Sequence, residues 1–269
     1  NIWNGVDSSV CALKSPAGSP IIVTSKPENL VVGSQFENTL GDDFFKKLIC
    51  VSWAEPKLEG GHFNELIGEN KNILWAAPTE KIKNKLWDYY RIEAEIVSSG
   101  VDPNLFKPSR DIKQITTLGI SGTPGSIPGW DLIKRPEMMI EIAQRAGINH
   151  HFINGKPNSL GTSLYDEIDM YICTSTTEAG PYGIAECAFS KIPVLSTPVG
   201  YASKFKSVKT FETVHEAVAI IQELNADPQK LKDYIEEVYE EFTNNLTWDR
   251  VGEEYWKPLI QKRINLNKS

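Results

Sequence analysis

The sequence lacks the features that mark secreted, disulfide-bonded and membrane-spanning proteins. Its four cysteines, in 269 residues, form no CxxC pair, which argues against a disulfide framework or a zinc site and favours reduced, buried thiols. No apolar run approaches the roughly 20 residues that a membrane span requires. The N-terminus shows no basic region followed by an apolar signal core. We therefore expect a cytoplasmic protein, and leave open a peripheral association with a membrane.

Positive charge is also in short supply. The chain has 28 Lys and Arg against 35 Asp and Glu, a net charge of −7. This balance argues against general affinity for nucleic acid or anionic lipid, although a local basic patch would escape the test. Internal repeats and low-complexity tracts are not seen. The 41% of apolar residues is enough for the cores of two modest domains or one large one.

Short apolar segments alternate with helical patterns along the chain. In residues 79–90, the spacing of Ile82, Leu86 and Tyr89 is that of one helix face, and Thr79 is placed to cap the helix. Repeated alternation of strand and helix predicts an α/β fold with a parallel, doubly wound sheet. The strand-like segments in the first half are 20–24, 30–33, the end of 44–53, and 72–77.

The rest of the chain is organised around residues 171–189. An apolar run passes into a polar loop that holds Glu178, and then into a helical pattern that holds Glu186. A helix that starts after a strand presents free N–H groups and the positive end of its dipole, which together attract anions. The two carboxylates would repel a phosphate, so we expect them to accept hydrogen bonds from hydroxyls beside it. A nucleotide-sugar has both groups.

Several motifs, in order over about residues 94–260, resemble one enzyme family. Glu178 and Glu186 are separated by seven residues, and residues 191–200 (KIPVLSTPVG) follow as a buried strand and turn. The other matches are GVD followed by F.P in 100–108, Gly119, Lys134, and Thr247-Trp248. This set resembles the GT-B glycosyltransferases of the large retaining family often called GT4, or glycosyl transferases group 1.

The resemblance implies a GT-B fold, with two Rossmann-like doubly wound parallel-sheet domains of which the N-terminal one is shortened. The implied domains are an acceptor-side domain at 1–109, a nucleotide-sugar-binding domain at 110–245, and a C-terminal helix at 246–269 that packs back on the first domain. The implied reaction is metal-independent transfer of a sugar, of the hexosyltransferase type, with retention of anomeric configuration. The donor would be a nucleotide-sugar such as a UDP- or GDP-sugar, and the acceptor a saccharide, lipid-linked or other hydroxyl.

The resemblance also implies roles for individual residues. Glu178 would contact hydroxyls of the transferred sugar and Glu186 those of the ribose, while backbone N–H groups after Glu178 would meet the diphosphate. Glu178 and Lys134 are the implied catalytic residues. The donor-binding residues implied are Gly119, Lys134, Arg135, Glu178, Gly180, Tyr182, Gly183, Ile184 and Glu186.

The sequence departs from the family at two positions near the diphosphate. The family has Gly-Arg where this chain has Gly119-Ile120, so either Arg135 supplies the second cation or the diphosphate is held differently. Pro181 occupies a position where Gly is common, and it has no N–H to donate. Lys134 is predicted to begin a helix at 134–146, where a cation opposes the helix dipole unless a phosphate is bound.

Three other points stay open at this stage. His62, in the presumed first domain, is a candidate acceptor-side residue or an ordinary surface histidine. One alternative function is the same transfer aimed at a modified nucleic-acid base, which the negative charge disfavours. Another is a non-catalytic GT-B-like binding protein, which the missing Arg and the short first domain would suit.

Overall fold

The computed structural model describes residues 21–24, 48–51, 73–122, 124, 130–154, 158–178, 180 and 182–266. His62 and the predicted strand at 30–33 lie outside these residues. The strands are β1 (Ile21–Thr24), β2 (Leu48–Val51), β3 (Leu74–Ala77), β4 (Ala94–Ile96), β5 (Thr117–Ser121), β6 (Asn149–Ile153), β7 (Met170–Cys173), β8 (Val194–Ser196) and β9 (Lys209–Thr210). The α-helices are α1 (Glu80–Tyr90), α2 (Trp130–Lys134), α3 (Pro136–Ala146), α4 (Tyr182–Phe189), α5 (Tyr201–Lys204), α6 (Val214–Ala226), α7 (Pro228–Leu246), α8 (Trp248–Val251) and α9 (Lys257–Leu266).

The described residues form two compact units. One unit contains those up to Ser98 and those from Val251 onward, and the other is Ser99–Arg250. The sequence places the domain boundaries at 109/110 and 245/246 instead. Residues 99–109 pack within the second unit, where the Lys107 amide donates to Thr162 Oγ1 at 2.8 Å.

The first unit has a sheet of four parallel strands in the order β1-β2-β3-β4. Helix α1 follows β3, and Thr79 Oγ1 accepts a hydrogen bond from the Ile82 amide, which confirms the predicted cap. Ile82 and Leu86 are buried, but Tyr89 is 44% exposed. Near the end of the helix, the Tyr89 ring packs edge-on against Tyr90.

The C-terminal helix belongs to this first unit. Helix α9 packs against β2, and the Trp256 indole N–H donates to the Ser98 carbonyl at 2.9 Å. No helix of the chain's described part is long and apolar enough to cross a membrane.

The second unit has a sheet of five parallel strands in the order β6-β5-β7-β8-β9. From β5 the chain moves to one side to form β6, and then crosses to the other side of β5 to form β7. Strand order therefore reverses between β5 and β7. In open α/β sheets, ligands bind outside the carboxyl ends of the strands at such a reversal.

Helix α4 crosses the core of this unit. Its residues from Gly183 to Phe189 are all buried, because it lies between the sheet and the amphipathic helix α7. Asp227 caps α7 through the amides of Gln229 and Lys230. The first turn of this helix lies close to β7, where Gly183 lies against the Tyr171 ring.

The helix predicted at 134–146 begins at Pro136, and a separate short helix precedes it. Helix α2 ends at Lys134, Arg135 has left-handed backbone angles (φ 50°, ψ 58°), and α3 begins at Pro136. Proline disfavours helical geometry in the residue before it and suits the first position of a helix. Lys134 therefore ends a helix, where a cation is favourable to the dipole, and the predicted conflict with the dipole is wrong.

Candidate active site

The site lies at the carboxyl ends of β5 and β7. Strand β5 stops at Ser121, before Gly122 with φ 110°. In β7, the hydroxyl of Tyr171 donates to Ser121 Oγ at 3.2 Å. The two strands are thus joined by side chains at the point where strand order reverses.

Lys134 and Glu178 form the central pair of the site. Lys134 Nζ donates to Glu178 Oε1, and the two side chains are 27% and 15% exposed. Ser175 Oγ donates to the same carboxylate oxygen at 2.7 Å. The structure thus brings together the two residues predicted to be catalytic, although they are 44 positions apart. Partial burial in a polar setting strengthens their attraction relative to a pair in bulk water.

The backbone at Lys134 is held by the loop after β7. Thr174, which is fully buried, donates its hydroxyl hydrogen to the Lys134 carbonyl, and its Oγ1 is 3.1 Å from the Arg135 carbonyl. In return, Arg135 Nε donates to the Thr174 carbonyl at 2.6 Å. The guanidinium predicted as a second cation for the diphosphate is thus engaged with the protein's own backbone.

The first turn of α4 supplies N–H groups at the same end of the sheet. The first amides of a helix have no partner inside it, and here they belong to Tyr182, Gly183 and Ile184. A Cβ added at Gly183 would lie 2.3 Å from Cζ of Tyr171, so only glycine lets α4 start so close to β7. The Tyr182 hydroxyl is 2.9 Å from Ser99 Oγ, and the backbone of Gly180 lies against the Tyr201 ring.

Glu186 lies deeper, in the middle of α4. It is 8% exposed, and Tyr165 donates its hydroxyl hydrogen to Glu186 Oε2. Burial raises the pKa of the Glu186 carboxyl, and the hydrogen bond from Tyr165 lowers it in part. Glu186 therefore has a partner of its own, different from the partners of Glu178.

Gly119 does not reach the end of its strand. It lies in the middle of β5, where an added Cβ would be 2.4 Å from Cγ2 of Ile168. The close contact with Ile168 is by itself a reason for glycine at this position. The strand continues for two residues beyond it, to Ser121. Its predicted role toward the donor stays a prediction, as do the donor-binding roles of the other residues.

The sequence reasoning missed the hydroxyl groups that support the site. Thr174 donates to the end of α2, Tyr165 donates to Glu186 in α4, and Tyr171 donates to Ser121 at the end of β5. A run of hydroxyl residues, 174–177, immediately before Glu178 is the signal that could have found Thr174. Within the described ranges, no group of three or more His, Cys, Asp or Glu side chains is placed to hold a metal ion.

Comparison with known proteins identifies the fold. No protein-family model matches the sequence, and no curated protein matches it in sequence. Solved structures do match. Sucrose-phosphate synthase from Thermosynechococcus elongatus is 12% identical with a TM-score of 0.63, over 90% of this chain and 73% of that one. Anabaena Alr3699/HepE in complex with UDP-glucose is 12% identical with a TM-score of 0.67, over 89% and 78%.

A third similar structure is a mutant of S. aureus TarM in complex with Fondaparinux, alpha-GlcNAc-glycerol and UDP. It is 14% identical with a TM-score of 0.61, and the match covers 87% of this chain but only 58% of that one. These neighbours have the GT-B fold. The predicted α/β architecture, with two Rossmann-like parallel-sheet units, is confirmed.

Proposed function

We propose that this protein is a glycosyltransferase of the retaining, metal-independent type, which moves a hexosyl unit from a nucleotide-sugar to an acceptor hydroxyl. The observation that carries the proposal is the Lys134–Glu178 pair. It lies where strand order reverses, beside the first turn of α4, on a fold shared with a protein solved with UDP-glucose.

The pair suits a ligand that has both a diphosphate and sugar hydroxyls. An ammonium group has three N–H donors, and Glu178 occupies one of those of Lys134. The others can bind diphosphate oxygens together with the amides of the α4 first turn. The ionised carboxylate of Glu178 has no hydrogen to donate and only accepts hydrogen bonds. It can therefore receive hydrogen bonds from hydroxyls of the transferred sugar.

The same groups meet the electrostatic demand of the reaction. Breaking the glycosidic bond of the donor leaves negative charge on the diphosphate and positive character on the sugar ring. Fixed donors aimed at the developing charge are worth on the order of 10²–10³ in kcat each. Lys134 and the helix amides stabilise the leaving group, while the carboxylate of Glu178 lies on the sugar side. With these groups stabilising the charge on the diphosphate and on the sugar, the reaction requires no metal ion.

The same neighbours support a choice of donor class. UDP-glucose is bound in the HepE structure and UDP in the TarM structure, so we propose a UDP-sugar as the first donor to test, with GDP-sugars as the comparison. Glu186 would contact the ribose hydroxyls. A carboxylate has about four acceptor positions, and Tyr165 uses one of them.

The test is donor binding and turnover in matched variants. Purified protein is screened with UDP, GDP and their sugars by thermal shift, since a ligand bound only to the folded state raises Tm. The active donor is then used to measure hydrolysis and transfer in Lys134→Met and Glu178→Gln. Lys191→Met is the control, because Lys191 pairs with Glu236 at nearly the same exposure, 28% against 27% for Lys134.

We expect kcat/KM to fall at least 100-fold in Lys134→Met and Glu178→Gln, about the loss that follows removal of one fixed electrostatic group from an active site. Lys191→Met should keep wild-type rates. Failure of every nucleotide-sugar to bind would contradict the proposal. Binding without turnover of any donor would point instead to the non-catalytic alternative.

A further inference from the structure

The segment from Ile133 to Arg135 is bound, residue by residue, to the segment from Thr174 to Thr176. The Thr176 amide donates to the Ile133 carbonyl at 2.8 Å. Thr174 Oγ1 reaches the next two carbonyls, those of Lys134 and Arg135. The last carbonyls of a helix have no partner inside it, so the β7 loop provides the missing donors at the end of α2.

This contact fixes an unusual backbone. Arg135 is one of three non-glycine residues with positive φ among those the structure describes, and L-residues adopt that region rarely. Two hydrogen bonds hold it there: the Thr174 hydroxyl on the Arg135 carbonyl and Arg135 Nε on the Thr174 carbonyl. A strained residue persists only where its surroundings over-determine it, and Thr174 is part of both bonds.

The same loop fixes the partner of Lys134. Ser175, next to Thr174, donates to the Glu178 oxygen that Lys134 also binds. Ser175 is itself held, because Thr197 Oγ1 donates to its carbonyl at 2.6 Å. One short segment therefore sets both the backbone of the lysine and the carboxylate of the glutamate.

From these contacts we infer that Thr174 is a positioning residue for the Lys134–Glu178 pair. Its hydroxyl sets where the ammonium group lies, and Arg135 serves to hold the backbone rather than to bind the diphosphate. This inference rests on the proposed function for its effect on the reaction. Its effect on the backbone does not, and the two can be tested apart.

The first measurement needs no substrate. Valine has the same shape as threonine, but in Thr174→Val the carbonyls of Lys134 and Arg135 lose the hydroxyl partner. Hydrogen exchange should become at least tenfold faster at the Thr176 amide, which bonds the same helix end. Thr174→Ser retains the hydroxyl and should exchange as wild type. Unchanged exchange in Thr174→Val would overturn the inference.

The second measurement is a double-mutant cycle on UDP affinity. Thr174→Val should weaken binding about tenfold, since a misplaced ammonium group loses part of its charge-assisted hydrogen bonding to the diphosphate. In the Lys134→Met background the same substitution should change affinity less than twofold, because Thr174 acts through Lys134. An equal loss in both backgrounds would mean that Thr174 has only a general structural role.

The experiment also covers a variant that fails to fold and a wild-type protein that fails to bind UDP. If Thr174→Val does not fold, Thr174→Ala removes the same hydroxyl with a smaller side chain, and both comparisons are made with it. If wild-type protein binds no UDP or UDP-sugar, the proposed function fails, and the exchange experiment alone decides the role of Thr174. Arg135→Gln is the variant for the second part, because it removes the charge: UDP affinity should fall through the loosened backbone while its salt dependence stays that of wild type, and a weaker salt dependence would show that Arg135 binds phosphate.

Discussion

Tyr165 and Glu186 form a buried hydrogen bond in which the phenol donates to a carboxylate oxygen. The tyrosine comes from the 3₁₀ segment Asn158–Tyr165, before β7, and the glutamate from the middle of α4. Transfer of a carboxylate out of water is costly unless it is hydrogen-bonded. The pair thus maintains an acid in the protein interior, close to the first turn of a helix, which has consequences for stability that can be measured.

Glu186→Gln should stabilise the protein near neutral pH. Burial raises the pKa of Glu186 above its ordinary 4.5, so between the two pKa values the folded state holds a proton that the unfolded state has lost. The stability contributed by this group is therefore complete below pH 4.5 and falls as pH rises through the raised pKa. Glutamine has no charge and avoids this loss.

The measurement is Tm against pH for the two proteins. We expect Glu186→Gln to melt at higher temperature at pH 7, with the difference closing as the pH approaches 4.5. The same variant should bind the nucleotide-sugar more weakly, since its amide has one acceptor oxygen for the ribose instead of two. A variant less stable than wild type at pH 7 would contradict the prediction.

Tyr165→Phe should have the opposite effect on stability. It removes the donor and leaves the Glu186 carboxylate buried without it, a loss of roughly 1–3 kcal/mol. Because that hydrogen bond lowers the pKa of Glu186, the pKa should rise further in the variant. Urea unfolding at pH 7 and pH 4 tests this, with a larger loss expected at pH 7. Equal losses at both pH values would show that the tyrosine acts by packing alone.

Gly183→Ala should destabilise the protein through a collision with Tyr171. The added Cβ would lie 2.3–2.5 Å from three atoms of that buried ring, and overpacking of this kind costs about 1–3 kcal/mol. Gly252→Ala is the matched control, since a Cβ there meets nothing within 4 Å. Chemical denaturation of both variants gives the comparison, and a Gly183→Ala variant as stable as the control would refute the packing argument.

Turnover should continue in a chelator and should retain the anomeric configuration. Lys134 and the amides of α4 supply the positive charge for the leaving diphosphate in the proposed mechanism. Rates measured in EDTA should match those with added Mg²⁺ or Mn²⁺ within about twofold, and NMR of the first product formed should show the donor's anomeric configuration. Loss of activity in EDTA that Mn²⁺ restores would disprove metal independence, and inversion would disprove retention.

The elements were easier to predict from the sequence than their junctions. Alternating apolar and amphipathic segments gave the parallel α/β fold, and the strand positions of Cys50 and Cys173 agree with the structure. The break at Arg135 follows from Pro136, which disfavours helix in the residue before it. The family resemblance places a helix start at Lys134 and does not contain this break.

Contacts between distant segments could not be predicted in the same way. The meeting of Lys134 with Glu178 could be expected, since both residues follow adjacent strands of a parallel sheet. The bond from Tyr165 to Glu186 could not, because it depends on the path of the 3₁₀ segment, where Gly161 with φ 56° lies against the Leu105 carbonyl. No periodic pattern of apolar residues in the sequence predicts the path of such a segment.

The two ends of the second unit leave it side by side. Val101 and Thr247 form a parallel bridge, the Val101 amide donates to the Leu246 carbonyl at 2.7 Å, and Gly100 lies against the Trp248 ring. In the order of the chain, the second unit is therefore an insertion within the first, and its two ends lie together. Units with adjacent ends suit domain insertion and circular permutation, in which a short linker joins the ends without rerouting any strand.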